Sequence, residues 1–184
     1  MSTRIGDETS AIITASGVAA TTHTFASRAL EGLRLLLVAL WLGGAVFFSF
    51  VVAPTAFAVL PTHELAGALV TRTIAFVNGG GFIISLLLLA TAFFGKRDEA
   101  RRAVRLVEVA SLAIIAVACG VGHWIVAARM VALRASMGRP IDQIAIDDPM
   151  RVVFNSLHGY SVALMCAGVI AGIVALLAIA RRRS

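Results

Sequence analysis

The most prominent pattern in the sequence is a set of four long apolar runs separated by polar segments. The runs cover residues 33–53, 73–94, 106–128 and 157–180. A helix needs about 20 predominantly apolar residues to cross the hydrocarbon core of a bilayer, and a helix satisfies its own backbone hydrogen bonds there. The runs are continuous and lack the alternation typical of barrel strands. The pattern therefore predicts an all-α integral membrane protein, a four-helix bundle.

Helical patterns also continue beyond the apolar runs, chiefly on one side of the predicted bundle. Extensions of about ten residues would project some 15 Å from the bilayer at 1.5 Å per residue. Capping and helix-stop signals mark where these extensions begin and end. They predict an end near Leu60 beyond Pro54, a Thr62 cap before a helix from His63, a stop at Gly138-Arg139-Pro140, and a start at Pro149 after Asp147-Asp148.

The chain divides into a tail and one domain. Residues 1–27 carry Asp7 and Glu8 close to Arg4, and the Ala/Thr/Ser-rich stretch 11–24 is too poor in Leu for the core of a signal peptide. We interpret residues 1–27 as a mobile cytoplasmic tail. Residues 28–184 then form a single four-helix transmembrane domain.

Basic residues are distributed unequally between the two sides of the predicted bundle, and their bias predicts orientation. Eleven flank one side and five flank the other. The pattern predicts that both termini lie in the cytoplasm and that the extended helices project outside. The eleven are Arg4, Arg28, Arg34, Lys96, Arg97, Arg101, Arg102, Arg105, Arg181, Arg182 and Arg183; the five are Arg72, Arg129, Arg134, Arg139 and Arg151.

Composition agrees with a membrane protein and limits its partners. The chain is 59% hydrophobic, with a mean hydropathy of +0.93. Its net charge of +6 comes from residues at helix ends, where they set topology and meet lipid headgroups, so a nucleic-acid partner is not expected. The abundance of Arg and Ala suggests a GC-rich bacterial genome. We therefore expect a multi-pass protein of the plasma membrane, the bacterial inner membrane.

Small residues recur every four positions along the fourth helix. This spacing lets the backbones of membrane helices approach closely. The pattern favours packing within the bundle, with dimerisation or contact with other membrane subunits as the alternative. The residues are Gly159, Ala163, Ala167, Ala171 and Ala175.

Four polar residues fall in the outer third of the predicted spans, where each one costs free energy unless it has a partner. Asn155 and His158 share a helix face at i, i+3 spacing, and Asn78 and His123 lie at similar depth. Hydrogen bonds that fix the bundle explain them most simply. The sharper hypothesis is a cluster that binds a ligand or an ion, under an outer rim formed by His63, Glu64, Arg72 and Arg151.

Metal binding is the alternative for the two histidines. His123 and His158 could ligate haem or copper from sequential helices. Cys166 lies two helical turns inward from His158, whereas Cys119 lies one turn from His123. The four side chains would therefore not be level, and a four-ligand site is not expected. No catalytic motif occurs, and we expect a protein that is not an enzyme and has no cofactor.

Charged residues also occur at the inner end of the predicted bundle. Glu108 follows Arg105 by three residues near the start of the third span, and Glu31 and Arg34 begin the first. An interfacial ion-pair cluster is the simplest interpretation, and a carboxylate that relays protons is the alternative.

Several short motifs together resemble the transmembrane-protein-205-like domain family, over residues 33–167. The resemblance implies a four-helix membrane protein, with resistance or export suggested for the eukaryotic member and no established reaction. The motif Phe154-Asn-Ser-Leu-His158-Gly-Tyr-Ser161 is its most specific part. The others are Trp41-Leu-Gly-Gly, Val52-Ala-Pro54 with Phe57, Leu60-Pro61, Ala66-Gly67, His123-Trp124, Ala128-Arg129-Met130 and Asp147-Asp148-Pro149.

The sequence thus predicts a non-enzymatic membrane protein that binds or exports a small solute or ion through its outer polar cluster. Two alternatives stay open. One is a haem- or copper-binding redox subunit that uses His123 and His158, and the other is a structural subunit of a membrane complex.

Overall fold

A computed structural model of the chain describes residues 28–94, 102–138 and 140–183. The predicted tail, 1–27, and most of the second connection, 95–101, lie outside these residues. The described chain is helical apart from short turns and contains no strand. It confirms an all-α fold with four helices long and apolar enough to span a membrane. They are α1 (Arg28–Val59), α2 (His63–Phe94), α3 (Arg102–Met137) and α4 (Pro149–Arg183).

The helices are longer than a bilayer requires. Each has 32 to 36 residues, which is about 50 Å at 1.5 Å per residue, against about 30 Å of hydrocarbon. Most of the excess lies at the end of the bundle that carries residues 60–62 and 140–148, which we call the distal end. The opposite end, which carries Arg28 and Arg102, is the proximal end.

Local capping signals set the distal ends of the helices. The Thr62 hydroxyl accepts a hydrogen bond from the Leu65 backbone N–H at 3.2 Å. The Asp148 carboxylate accepts one from the Met150 N–H at 2.8 Å. Gly138 ends α3 with a left-handed φ of 64°, a conformation that glycine adopts without steric cost. The predicted boundaries at these three places are confirmed.

Two of the helices contain a π-helical turn. One covers Phe48–Val52 in α1 and the other Val121–Val126 in α3. The first ends two residues before Pro54, whose ring would clash with the carbonyl group four residues earlier in a regular α-helix. Widening of the helix at this point lets α1 continue to Val59, as predicted. No proline accompanies the turn in α3.

The two π-helical turns lie at the same level of the bundle. Arg34 of α1 and Glu108 of α3 form an ion pair near the proximal end, which fixes the relative height of these two parallel helices. The turns begin fourteen residues after Arg34 and thirteen after Glu108. They are therefore both about 20 Å from the ion pair along the helix axes.

Trp41 of α1 occupies the centre of the main core. Its indole N–H donates a hydrogen bond to the Val77 carbonyl of α2 at 3.0 Å. The ring lies against Gly81 of α2 and against Gly168 and Gly172 of α4. All four helices supply the buried residues around it: Val38, Ala45, Leu88, Leu112, Ile115, Cys119, Ala171, Ala175 and Ile179.

The series of small residues on α4 is divided between two environments. Ala171 and Ala175 are buried in the core around Trp41, so the packing prediction is confirmed for them. Gly159, Ala163 and Ala167 are exposed on the surface of the bundle, so the prediction is wrong for these three positions. The interior at the distal end is filled instead by larger side chains.

Candidate functional site

A second, smaller core holds the long distal connection against the bundle. Its buried members are Met137 of α3, Ile144 of the connection and Phe154 of α4. The Arg151 guanidinium donates a hydrogen bond at 2.6 Å to the carbonyl of Ile144. These contacts fix residues 140–144 over the ends of α2 and α3. They thereby form one wall of a pocket.

This distal pocket has a volume of about 200 Å³. It lies between the first turns of α2, the last turns of α3 and the connection that follows α3. Apolar side chains supply much of its wall, and three titratable residues converge on it. The lining residues are His63, Glu64, Ala68, Arg134, Met137, Pro140 and Ile141.

Three neighbouring residues hold the side chain of Arg134 in the pocket. Its Nη1 donates a hydrogen bond to Thr71 Oγ1 at 3.1 Å. The guanidinium carbon lies 5.0 Å from the centre of the Phe154 ring, within the range of a cation–π interaction. A Cβ atom on Gly67 would come within 2.9 Å of Arg134 Nη2. Glycine at position 67 thus makes room for the guanidinium.

Arg134 forms no ion pair with any carboxylate in the part of the chain that the structure describes. The ion pair that the structure shows between an arginine and a carboxylate joins Arg34 to Glu108 instead. Arg134 lies six residues beyond the apolar run that ends at Ala128. Burial lowers the pKa of its guanidinium, and the negative charge of Glu64 opposes that shift. An arginine remains protonated in proteins, so the pocket contains a partly dehydrated cation.

Only two of the four residues predicted for the outer rim line the distal pocket. His63 and Glu64 line the distal pocket, and the His63 ring lies 6.0 Å from that of Phe57. Arg151 is used to hold the distal connection. Arg72 is exposed and does not line the pocket.

The predicted cluster within the membrane is divided as well. Asn78 is buried, and its amide lies against Gly122 in the π-helical turn of α3. His123 belongs to the same turn, and its ring packs edge-on against Trp124 at 4.8 Å. His123 Nδ1 is buried without a hydrogen-bond partner in the described part of the chain. The structure therefore places Asn78 beside the turn that carries His123.

Asn155 and His158 do not join that group. Both are exposed on α4. Their side chains make no hydrogen bond or ring contact with any other described residue. Depth along the helix was predictable from residue count, but the direction in which these two side chains point was not. Within residues 28–94, 102–138 and 140–183, no group of three or more His, Cys, Asp or Glu side chains could hold a metal ion.

The charged residues at the proximal end form one buried ion pair rather than a four-membered cluster. Arg34 pairs with Glu108, which is fully buried, and the same guanidinium nitrogen lies 3.4 Å from the Leu88 carbonyl. Arg105 donates a hydrogen bond to the carbonyl of Ala92. Glu31 is half-buried and forms no ion pair with the described residues.

Sequence reasoning missed the residues that position the cation of the distal pocket. In the sequence, Arg134 is only a charge on a helical extension, and Gly67 is only part of a family motif. The available signal was the four-residue spacing of Gly67 and Thr71, which puts a small residue and a hydroxyl on one face of α2. That face meets Arg134 in the fold.

Comparison with known proteins matches the chain to a protein family. The family model of DUF4149, a domain of unknown function, matches residues 36–139. The chain belongs to this family. The match runs from α1 to the start of the distal connection, so Gly67, Thr71 and Arg134 all lie within the DUF4149 domain, while α4 lies beyond the matched residues. No curated protein and no solved structure matches the chain.

Proposed function

We propose that the protein binds a small solute with a carboxylate group in the distal pocket, and that it acts in a membrane as a solute-binding or solute-exporting protein rather than as an enzyme. The observation that carries the proposal is Arg134, a half-buried cation that forms no ion pair with a carboxylate of the described residues. Guanidinium groups bind carboxylates through two parallel hydrogen bonds. Thr71, Gly67 and Phe154 hold this guanidinium in place before a solute arrives.

A second charged residue of the pocket limits the class of solute that we expect to bind. Glu64 lines the pocket together with Arg134, so a positive and a negative charge border the same space. A small zwitterion, with its carboxylate toward Arg134 and its ammonium group toward Glu64, satisfies both. The volume of about 200 Å³ lies below the usual range for drug-sized ligands, which favours a solute of the size of a small amino acid.

A binding assay on the purified full chain tests this proposal. We expect glycine and alanine to raise the melting temperature of the wild-type protein, and Arg134→Gln to abolish that shift. Loss of a hydrogen bond to a charged group costs about 1.5–3 kcal/mol, or roughly tenfold or more in affinity. Arg134→Lys should bind more weakly than wild type, because an ammonium group cannot form the two parallel bonds.

Two comparisons make the result specific. Arg72→Gln removes an exposed arginine of α2 that does not line the pocket, and it should leave binding unchanged. Glu64→Gln should weaken glycine binding more than acetate binding, since acetate has no ammonium group. Equal shifts for wild type and Arg134→Gln would refute the site. Equal effects of Glu64→Gln on glycine and acetate would refute the zwitterion.

We also propose that the distal end faces the cell exterior and that both termini are cytoplasmic, in a bacterial inner membrane. The support is the charge bias, with eleven basic residues on the proximal side and five on the distal side. A reporter fused after Ser184 should therefore report the cytoplasm, and one inserted between Ala145 and Ile146 should report the exterior. An exterior signal from the C-terminal fusion would overturn this orientation and would place the pocket inside the cell.

We also propose that the chain is related to the transmembrane-protein-205-like family. The resemblance rests partly on residues 154–161, which lie outside the matched DUF4149 domain. An export role, which the resemblance implies, agrees with a solute pocket beyond the membrane span. We do not favour the redox alternative, because His158 is exposed on α4 and forms no hydrogen bond or ring contact with His123.

A further inference from the structure

A second cavity lies at the side of the bundle, in the groove between α3 and α4. It is about 430 Å³ in volume and is open to the surroundings. Apolar side chains of both helices form its walls, and the π-helical turn of α3 supplies three of them. We call this the lateral groove, and its lining includes Val121, Ile125, Val126, Arg129, Tyr160 and Ala163.

One end of the lateral groove is polar and the rest is apolar. Arg129 immediately follows the apolar run 106–128, which places it at the predicted boundary of the hydrocarbon. Tyr160 lies across the groove on α4 and is 64% exposed, a typical place for tyrosine at a membrane surface. Val121 lies eight residues from Arg129, so the groove extends about 12 Å from the boundary into the membrane.

Arg129 supplies the positive charge of the lateral groove. It is exposed, and it forms no hydrogen bond or ion pair with the described residues. A cation at the headgroup level, above an apolar groove that leads into the bilayer, is complementary to a molecule with an anionic head and a hydrocarbon chain. In a membrane the abundant molecule of this kind is a phospholipid.

We propose that the lateral groove binds a phospholipid from the leaflet on the distal side. The guanidinium of Arg129 binds the lipid phosphate, and the hydroxyl group of Tyr160 offers it a hydrogen-bond donor. One acyl chain lies between α3 and α4 along Val121 and Ile125. The small side chain of Ala163 leaves space for that chain. The solute pocket is separate, so this proposal does not depend on it.

Native mass spectrometry of the purified full chain, titrated with phosphatidylglycerol, tests the proposal. We expect one phospholipid to remain bound to the wild-type protein. Arg129→Gln should weaken its binding about tenfold, as expected for loss of a hydrogen bond to a charged group. Ala163→Leu should also weaken it, because the larger side chain fills the groove. Diacylglycerol with the same acyl chains should bind much more weakly, since it lacks the phosphate.

Arg72→Gln is the matched control, because Arg72 is also an exposed arginine near the distal boundary but lies outside the groove. It should bind phosphatidylglycerol as the wild type does. Melting temperatures measured without added lipid confirm that the variants fold. Equal binding by wild type and Arg129→Gln, or equal binding of phosphatidylglycerol and diacylglycerol, would overturn the proposal. An unaffected Ala163→Leu variant would show that no acyl chain occupies the groove.

Discussion

Replacement of Glu108 by glutamine should destabilise the protein severely. Glu108 is fully buried, and its partner Arg34 is 6% exposed. The substitution keeps the shape of the side chain but removes the negative charge that Glu108 places beside the guanidinium of Arg34. Removal of one partner from a buried ion pair typically costs about 3–5 kcal/mol. We therefore expect a large fall in melting temperature for Glu108→Gln in detergent or reconstituted membranes.

A double-mutant cycle separates the ion pair from other effects of the substitution. Arg34→Gln combined with Glu108→Gln removes both charges and should be more stable than Glu108→Gln alone. Glu31→Gln is the control, because Glu31 carries the same charge near the same end but forms no ion pair with the described residues. It should change stability by less than about 0.5 kcal/mol. If the double variant is the least stable of the set, the pair is not what makes Glu108 important.

Gly81→Ala should produce the second large loss of stability. A Cβ atom at this position would overlap the indole nitrogen of Trp41 and would come within 2.7 Å of Cys119 Sγ. Neither neighbour can move easily, because the Trp41 N–H is bonded to the Val77 carbonyl and Cys119 is buried in the core. Overpacking of this kind costs about 1–3 kcal/mol. The expected result is a lower melting temperature.

The adjacent glycine supplies a matched control. A Cβ atom on Gly80 would meet nothing within 4 Å, and alanine is favoured over glycine inside a helix by about 0.5–1 kcal/mol. Gly80→Ala should therefore be neutral or stabilising. In a Trp41→Phe background, where the indole is absent, Gly81→Ala should cost less than in the wild type. If Gly80→Ala and Gly81→Ala are equally harmful, contact with Trp41 is not the cause.

The helices and their boundaries were predictable because each depends on local features of the sequence. An apolar run of about 20 residues suffices to predict a membrane helix. Thr62, Asp148 and Gly138 act within one turn of their own positions. The π-helical turn at Val121–Val126 has no such local signal. The sequence therefore predicts a regular α-helix through these residues of α3.

The level of each candidate residue along its helix was predictable from the sequence. Which of these residues come together in a site was not. Residue counting along a helix gives the level of a side chain, and Asn78 and His123 do lie in the same region. Whether a side chain points inward depends on which helix lies beside it. For this reason Asn155 and His158 could not be recognised as exposed. Arg134 and Thr71 are 63 residues apart, and nothing in the sequence connects them before the chain folds.

The π-helical turn in α3 also affects how the arginines beyond it are aimed. Successive residues of an α-helix are about 100° apart around the axis, and a π-helical turn absorbs one extra residue. The extra residue in the segment Val121–Val126 therefore sets the directions in which the side chains beyond it point. It directs Arg129 toward the lateral groove and Arg134 toward the distal pocket. Relaxation of the same six residues to regular α-helical geometry would turn both arginines together by about 100°. The orientation of each charge is thus encoded several residues before the charge itself.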